Sequence, residues 1–177
     1  MAQPGVPGSD DSRLTLACGT TVGARAIDMG MRDLDCECGR RHAVVTDIHP
    51  PTRFLPEALV QQLRASTETA DDFEEFGIPH VLGMVREEFP ERVVTADVSE
   101  DGRVGYALLW VADFDSRRLH EVVVELVVEM MEHAVGHADD PAARREFERQ
   151  MREFDVEEFV DRYRAQRDFE DEHDSLV

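Results

Sequence analysis

Apolar residues change their spacing partway along this chain, and the change divides it. Two short runs rich in alternating or β-branched residues come first, LTLAC at 14–18 and HAVVTDI at 42–48, and both read as strands. HPPTRFLP at 49–56 then breaks any regular pattern, because each proline lacks an N–H and pushes its predecessor toward extended geometry. A boundary is placed there. From Pro56 the spacing is helical: PEALVQQLRAS sets Leu59 and Leu63 four apart, and Pro56 suits a first turn. The acidic DDFEEFG reads as a short turn or helix ending at Gly77. Pro79 opens a second helix, PHVLGMVREEF, with Val81, Met84, Val85 and Phe89 on one side and Pro90 at its end.

The strand pattern then returns. RVVTADV at 92–98 and RVGYALLWVADF at 103–114 flank SEDG, whose Asp-Gly chemistry predicts a hairpin. Residues 115–138 give the clearest helix, with Asp115 or Ser116 as cap and Leu119, Val122, Val123, Leu126, Val127, Met130 and Met131 at the spacing of a buried face. Val124 and Val128 widen that face, which places this helix at the centre of the fold or, over 119–131, at a homodimer contact. DDPAAR starts another helix with Pro141 at its first position and Phe147 and Met151 on its apolar side. A last helix begins at the capping-box-like DVEE, with Asp155 as cap and Val156, Phe159, Val160 and Tyr163 inward. No internal repeat is evident. The expected organisation is a disordered leader at 1–12, a β element at 13–53, a helix-rich α+β domain at 54–170 with a central hairpin near 92–113, and a frayed tail at 171–177.

Composition alters this picture through charge. The 177 residues carry 39 acidic and 19 basic side chains, a net charge of −20, and every basic one is arginine. Carboxylates spread so evenly would repel one another in dilute buffer, whereas concentrated salt shortens the screening length to about 3 Å at 1 M. A salt-filled cytoplasm is therefore expected, and in it only departures from the acidic background are informative. One exists: residues 13–53 hold six arginines against five acids, close to neutral. No apolar run reaches the length of a membrane span, and the start, MAQPGVPGSDDS, lacks the pattern of a secretory signal. These features predict a soluble cytoplasmic protein. In a reducing compartment its three cysteines are thiols or metal ligands in preference to a disulfide framework.

Two of those cysteines fall in LDCECGRRH at 34–42. Residues two apart on an extended chain face one side, so Cys36 and Cys38 can present both sulfurs to one ion if the chain turns at Gly39. His42 returns beyond the turn, and Cys18, before Gly19, reaches across from the other strand. Three thiolates and an imidazole form the closed tetrahedral shell of structural zinc, with His49 a competing fourth ligand. The alternatives are ordinary buried thiols or a redox pair. The spacing Cys-x17-Cys-x-Cys-x3-His resembles a zinc ribbon whose first knuckle has lost one cysteine. Elsewhere, Glu129, His133 and His137 share a helical face, but they read as the solvated side of an amphipathic helix. Arg117 and Arg118 read as local ion-pairing groups. No phosphate loop, nucleophile elbow or nucleotide fingerprint is present.

LACGTT, LDCECGRRHAVVTDIHPPTRF, the DDFEEFGIPH corner and WVADFDSRRLHEVVVELVVE together resemble an uncharacterised family of small acidic proteins from salt-loving archaea, over about residues 13–140. That resemblance implies milieu and location and no activity. The resulting expectation is a non-catalytic, zinc-stabilised interaction or regulatory protein that meets nucleic acid or a protein partner through Arg40, Arg41 and Arg53. The alternative is an enzyme with a pocket between hairpin and helices, using His80, His120 and Arg117.

Overall fold

The computed structural model describes residues 13–23, 26–28, 30–68, 75–98, 107–137 and 139–167. The expected leader, the SEDG turn, most of the DDFEEFG stretch and the expected frayed tail lie outside the described residues.

The fold is α+β, in the order β1 (Arg13–Thr15), β2 (Thr21–Gly23), β3 (Asp33–Asp35), β4 (Arg41–Thr46), α1 (Glu57–Ser66), α2 (Ile78–Glu88), β5 (Val93–Asp97), β6 (Leu108–Ala112), α3 (Ser116–Gly136), α4 (Pro141–Arg152) and α5 (Val156–Gln166). Strands β1 and β2 form a small antiparallel ribbon, while the other four make one antiparallel sheet in the order β3-β4-β6-β5. The predicted hairpin is β5 and β6, with Val93 opposite Ala112 and Asp97 opposite Leu108. Strand β4 pairs with β6, Val44 opposite Val111 and Val45 opposite Trp110, so the sheet crosses the boundary placed at 49–56. Asp33 ties the two segments again, accepting from both the N–H and the hydroxyl of Ser116 at 2.8 Å.

Alternation along β4 explains its nearly unbroken apolar sequence. Ala43 and Val45 join the larger core with Val93, Trp110 and Ala112, under the helices. Val44 points the other way, into a smaller core with Leu16, Ile27, Leu34, Val98, Leu109 and Val111. A strand covered on both faces has no use for polar positions. The wide apolar face of α3 is consumed within the chain: Leu119, Val122, Val123, Val124 and Val127 are all buried in the larger core. Leu126, Val128, Met130 and Met131 of the same face are partly buried against that core.

The proline-rich stretch has a defined role. A 3-10 turn over Pro51–Arg53 leads into α1, and its carbonyls have few backbone donors nearby, because prolines supply none. Side chains fill the gap. Tyr163 of α5 donates to the carbonyls of Thr52 and Leu55, Arg167 donates to that of Thr52, and His120 of α3 donates through Nε2 to that of Phe54 at 2.7 Å. His120 is fully buried, its ring edge-on to Phe54 and Tyr163.

Burial brings the His120 pKa from 6.5 to about 4, with Arg164, Arg53 and Arg167 adding repulsion against the charged form and the bond to Phe54 opposing it. A histidine depressed in the folded state is neutral there while the unfolded chain takes up a proton, so stability rises with pH through this window. It is complete above pH 6.5 and falls by about 3 kcal/mol as the pH drops toward 4. Denaturant unfolding at pH 7 and pH 4.5 is expected to show a smaller difference in His120→Gln than in the wild type. Equal differences would place the acid sensitivity elsewhere.

Candidate metal centre

The ribbon and the β3–β4 hairpin turn through the same five-residue loop. Residues 16–20, LACGT, are closed by the Thr15–Thr21 pair, and residues 36–40, CECGR, by the Asp35–Arg41 pair. In each loop the first N–H bonds the last carbonyl, Leu16 to Thr20 at 2.8 Å and Cys36 to Arg40 at 3.1 Å. In each the glycine N–H returns to the first carbonyl, Gly19 to Leu16 at 2.9 Å and Gly39 to Cys36 at 3.0 Å. Gly19 and Gly39 have φ values of 89° and 86°, the left-handed region that a Cβ disfavours. The N–H of the residue after each glycine points at a cysteine sulfur, Thr20 at Cys18 and Arg40 at Cys38. The two turns are therefore one knuckle used twice, with Leu16 standing where the second copy has Cys36. This repeat escaped the sequence reading because only Cys-Gly is common to the two loops.

The two knuckles meet against β4. Cys18, Cys36, Cys38 and His42 each offer one donor atom, and all four atoms lie within 4.8 Å of one another. Zinc arms of about 2.3 Å to sulfur and about 2.0 Å to nitrogen give tetrahedral edges of about 3.8 Å between sulfurs and about 3.5 Å between sulfur and nitrogen. Cys18 Sγ and Cys36 Sγ are 3.7 Å apart, and Cys38 Sγ is 3.3 Å from His42 Nε2. The donor set fits the ion in number, type and spacing. Among the described residues, no other group of three or more such side chains is gathered closely enough to share a metal.

The surroundings favour ligation. His42 is 1% exposed and lies on the ribbon-facing side of the sheet, opposite Leu34. Its Nδ1 is 3.2 Å from the Ala112 carbonyl and 3.3 Å from Asp113 Oδ1. The carbonyl is the aligned hydrogen-bond acceptor, and the carboxylate adds electrostatic support. A proton held on Nδ1 leaves Nε2 as a lone-pair donor aimed at the sulfurs. Hydrogen bonds from Thr20, its side chain foremost and its N–H next, bring the Cys18 thiol down to about 6 despite the opposing effect of burial. Cys38 moves the other way: the Arg40 N–H holds it down, but desolvation and the neighbouring Cys36 and Cys18 together push it up. Crowded thiols resist ionising together unless a cation joins them.

The other candidates are dispersed. His49 is buried with Nδ1 accepting from the Thr46 N–H at 3.2 Å, which fastens the end of β4. Arg53 is 2% exposed, whereas Arg40 and Arg41 have side chains 57% and 68% exposed. His80 accepts from the Gly77 N–H at 3.0 Å and stacks on Phe76, closing the first turn of α2. Arg117 pairs with Asp161 and Glu121, and Arg118 with Glu121 and Glu125, so both are ion-paired, though not with Asp113 or Asp115. His120 lies in the core, and neither the cavity beside the second knuckle nor the one between α3 and α4 is lined by His80, His120 or Arg117. His133 and His137 meet edge to face at the solvent side of α3, ring centres 4.5 Å apart.

The chain belongs to a family of unknown function, DUF5815, which it matches over residues 14–167. No curated protein and no solved structure matches it. The described residues contain no helix long and apolar enough to cross a membrane.

Support of the imidazole from behind is open to test. Asp113→Asn removes the charge beside His42 and is expected to weaken Co2+ or Zn2+ binding by about tenfold in chelator competition, with the thiolate-to-cobalt absorption unchanged in shape. Undiminished affinity would leave the Ala112 carbonyl as the sole support of the ring.

Proposed function

We propose that this protein is a non-catalytic, zinc-stabilised interaction or regulatory protein of a salt-filled, reducing cytoplasm, whose metal centre holds a small ribbon against the sheet and presents Arg40 and Arg41 to a nucleic-acid or protein partner. The reading rests on one observation: the three cysteines and His42 converge with the spacing of a closed tetrahedral shell. Four protein ligands leave zinc no open position for substrate, the arrangement of a structural site. Strands of three residues, as in β1, β2 and β3, make too few ladder bonds to stay docked unaided. An ion bridging Cys18 to the β3–β4 turn would supply that cohesion, since metal binding by a site absent from the unfolded chain adds to folding free energy.

The binding face follows from position. Arg40 sits inside the second knuckle and Arg41 directly after it, so the turn that would hold the ion also orients both. Arg53, buried beside Phe54, is no part of that face.

Purified wild-type protein is expected to carry about one zinc per chain, the stoichiometry of a single four-ligand site, and Cys36→Ser well under half of that. Chelation is expected to lower the wild-type melting temperature and to leave that of Cys36→Ser almost unmoved. Zinc-free wild-type protein with an unchanged melting temperature would overturn the proposal.

A further inference from the structure

Beside the second knuckle lies a cavity of about 410 Å³ lined by Arg40, Arg41, Arg92, Asp113, Phe114, Asp115 and Arg118. Four guanidinium groups meet there in a chain whose net charge is −20. They come from four places in the fold: the knuckle, the start of β4, the approach to β5 and the first turn of α3.

Each arginine is held in place from outside the cavity or at its wall. Arg40 lies 3.1 Å from Asp113 and also contacts the Cys38 sulfur. Arg41 pairs with Asp35 at 3.1 Å. Arg92 donates to the Asp113 carbonyl at 3.1 Å and lies over the Phe114 ring, 4.9 Å from its centre. Arg118 is anchored by Glu121 at 3.1 Å. A guanidinium has five N–H donors, so one anchoring contact leaves others for a ligand while removing much of the ordering cost.

The carboxylates at the wall have other partners. Asp115 accepts the Arg118 N–H at 2.8 Å as the cap of α3, and Asp113 faces His42 and Arg40. The wall itself thus carries four guanidinium groups against two carboxylates. Arginine forks pair bidentately with phosphate, and convergence of several from different elements suits a group with more than one charged oxygen. The volume exceeds what a bare phosphate fills and falls within the range of small-molecule sites, about 300–1,000 Å³.

We infer that this cavity binds a phosphate-bearing ligand of nucleotide size. The inference rests on the reading of Arg40 and Arg41 as an interaction face and gives that face a ligand class, widened by Arg92 and Arg118. The same chemistry is offered by a free nucleotide and by one unit of a single-stranded nucleic acid.

The test titrates zinc-replete full-length protein, at a salt concentration where it is folded, with inorganic phosphate, ADP and a fluorescent single-stranded decanucleotide. Saturable binding of ADP or the oligonucleotide is expected, weakened about tenfold or more in the Arg41→Gln/Arg118→Gln double variant. Arg144→Gln, at the far end of α3 and α4, is expected to bind as the wild type does. Zinc content and the circular dichroism spectrum of each variant separate loss of ligand from loss of fold. Equal affinity for ADP and the oligonucleotide assigns the cavity to a free nucleotide; much tighter, steeply salt-dependent oligonucleotide binding, displaced by ADP, assigns it to nucleic acid. Absence of binding by all three probes to zinc-replete protein, or undiminished binding by the folded double variant, overturns the inference and leaves the zinc proposal standing. Zinc-free wild-type protein that still binds ADP would do the reverse.

Discussion

Strand β4 must be covered on both faces, and most of the architecture follows from how that is met. Ala43 and Val45 bring the helices to one side, while Val44 and His42 call for cover on the other. The helical side is easily covered, because α3 alone supplies five buried apolar residues to the core. Among the described residues, the opposite side is covered by two short turns and apolar contacts that include Leu16, Ile27 and Leu34, with Leu14, Val22, Met31 and Ile48 partly buried beside them. That imbalance explains why the scarce soft ligands lie there. A metal ion held by the Cys3His group between knuckles and sheet would add cohesion where apolar area is small.

The second constraint is the proline-rich segment between β4 and α1. It lets the chain leave the sheet and begin the helical layer, but prolines donate no hydrogen bonds and their neighbours' carbonyls still need partners. His120, Tyr163 and Arg167 supply them from α3 and α5. Polar side chains are thereby carried deep into the molecule. Their burial is tolerable because each meets a backbone oxygen, and burial itself keeps His120 neutral against the opposing effect of its bond to Phe54. The break in the sequence pattern is thus a joint between layers.

Much of the fold was legible, because its elements carry local signals. The α3 repeat, Asp155 as cap, Asp115 as one of the two caps offered for α3, Pro141 at the start of α4, and the hairpin strands all stand where periodicity and turn chemistry put them. The donor set was legible too, since Cys18, Cys36, Cys38 and His42 are uncommon residues at suggestive spacing. Other features were not. Leu16 occupies a ligand position in the first knuckle and is chemically silent, which hid the duplication. Arg53 looks like any exposed arginine in the sequence, yet it is buried beside Phe54. Arg92 and Arg118 lie far from Arg40 along the chain and share its cavity only because β4 and β6 are neighbours.

By itself the sequence determined the local grammar: where strands and helices run, which residues cap them, which side chains can ligate a soft ion and how strongly the surface repels itself. Tertiary structure decided which of two histidines stands with the sulfurs. His42 and His49 are both close to the knuckle in sequence, but strand alternation turns the first toward the ribbon, while the second bends back to Thr46 at the end of the strand. It also decided that arginines from three separate stretches of the chain would share one cavity. Spacing along a chain reports only what neighbours can reach, and long-range pairing in the sheet sets the distances between residues far apart in sequence.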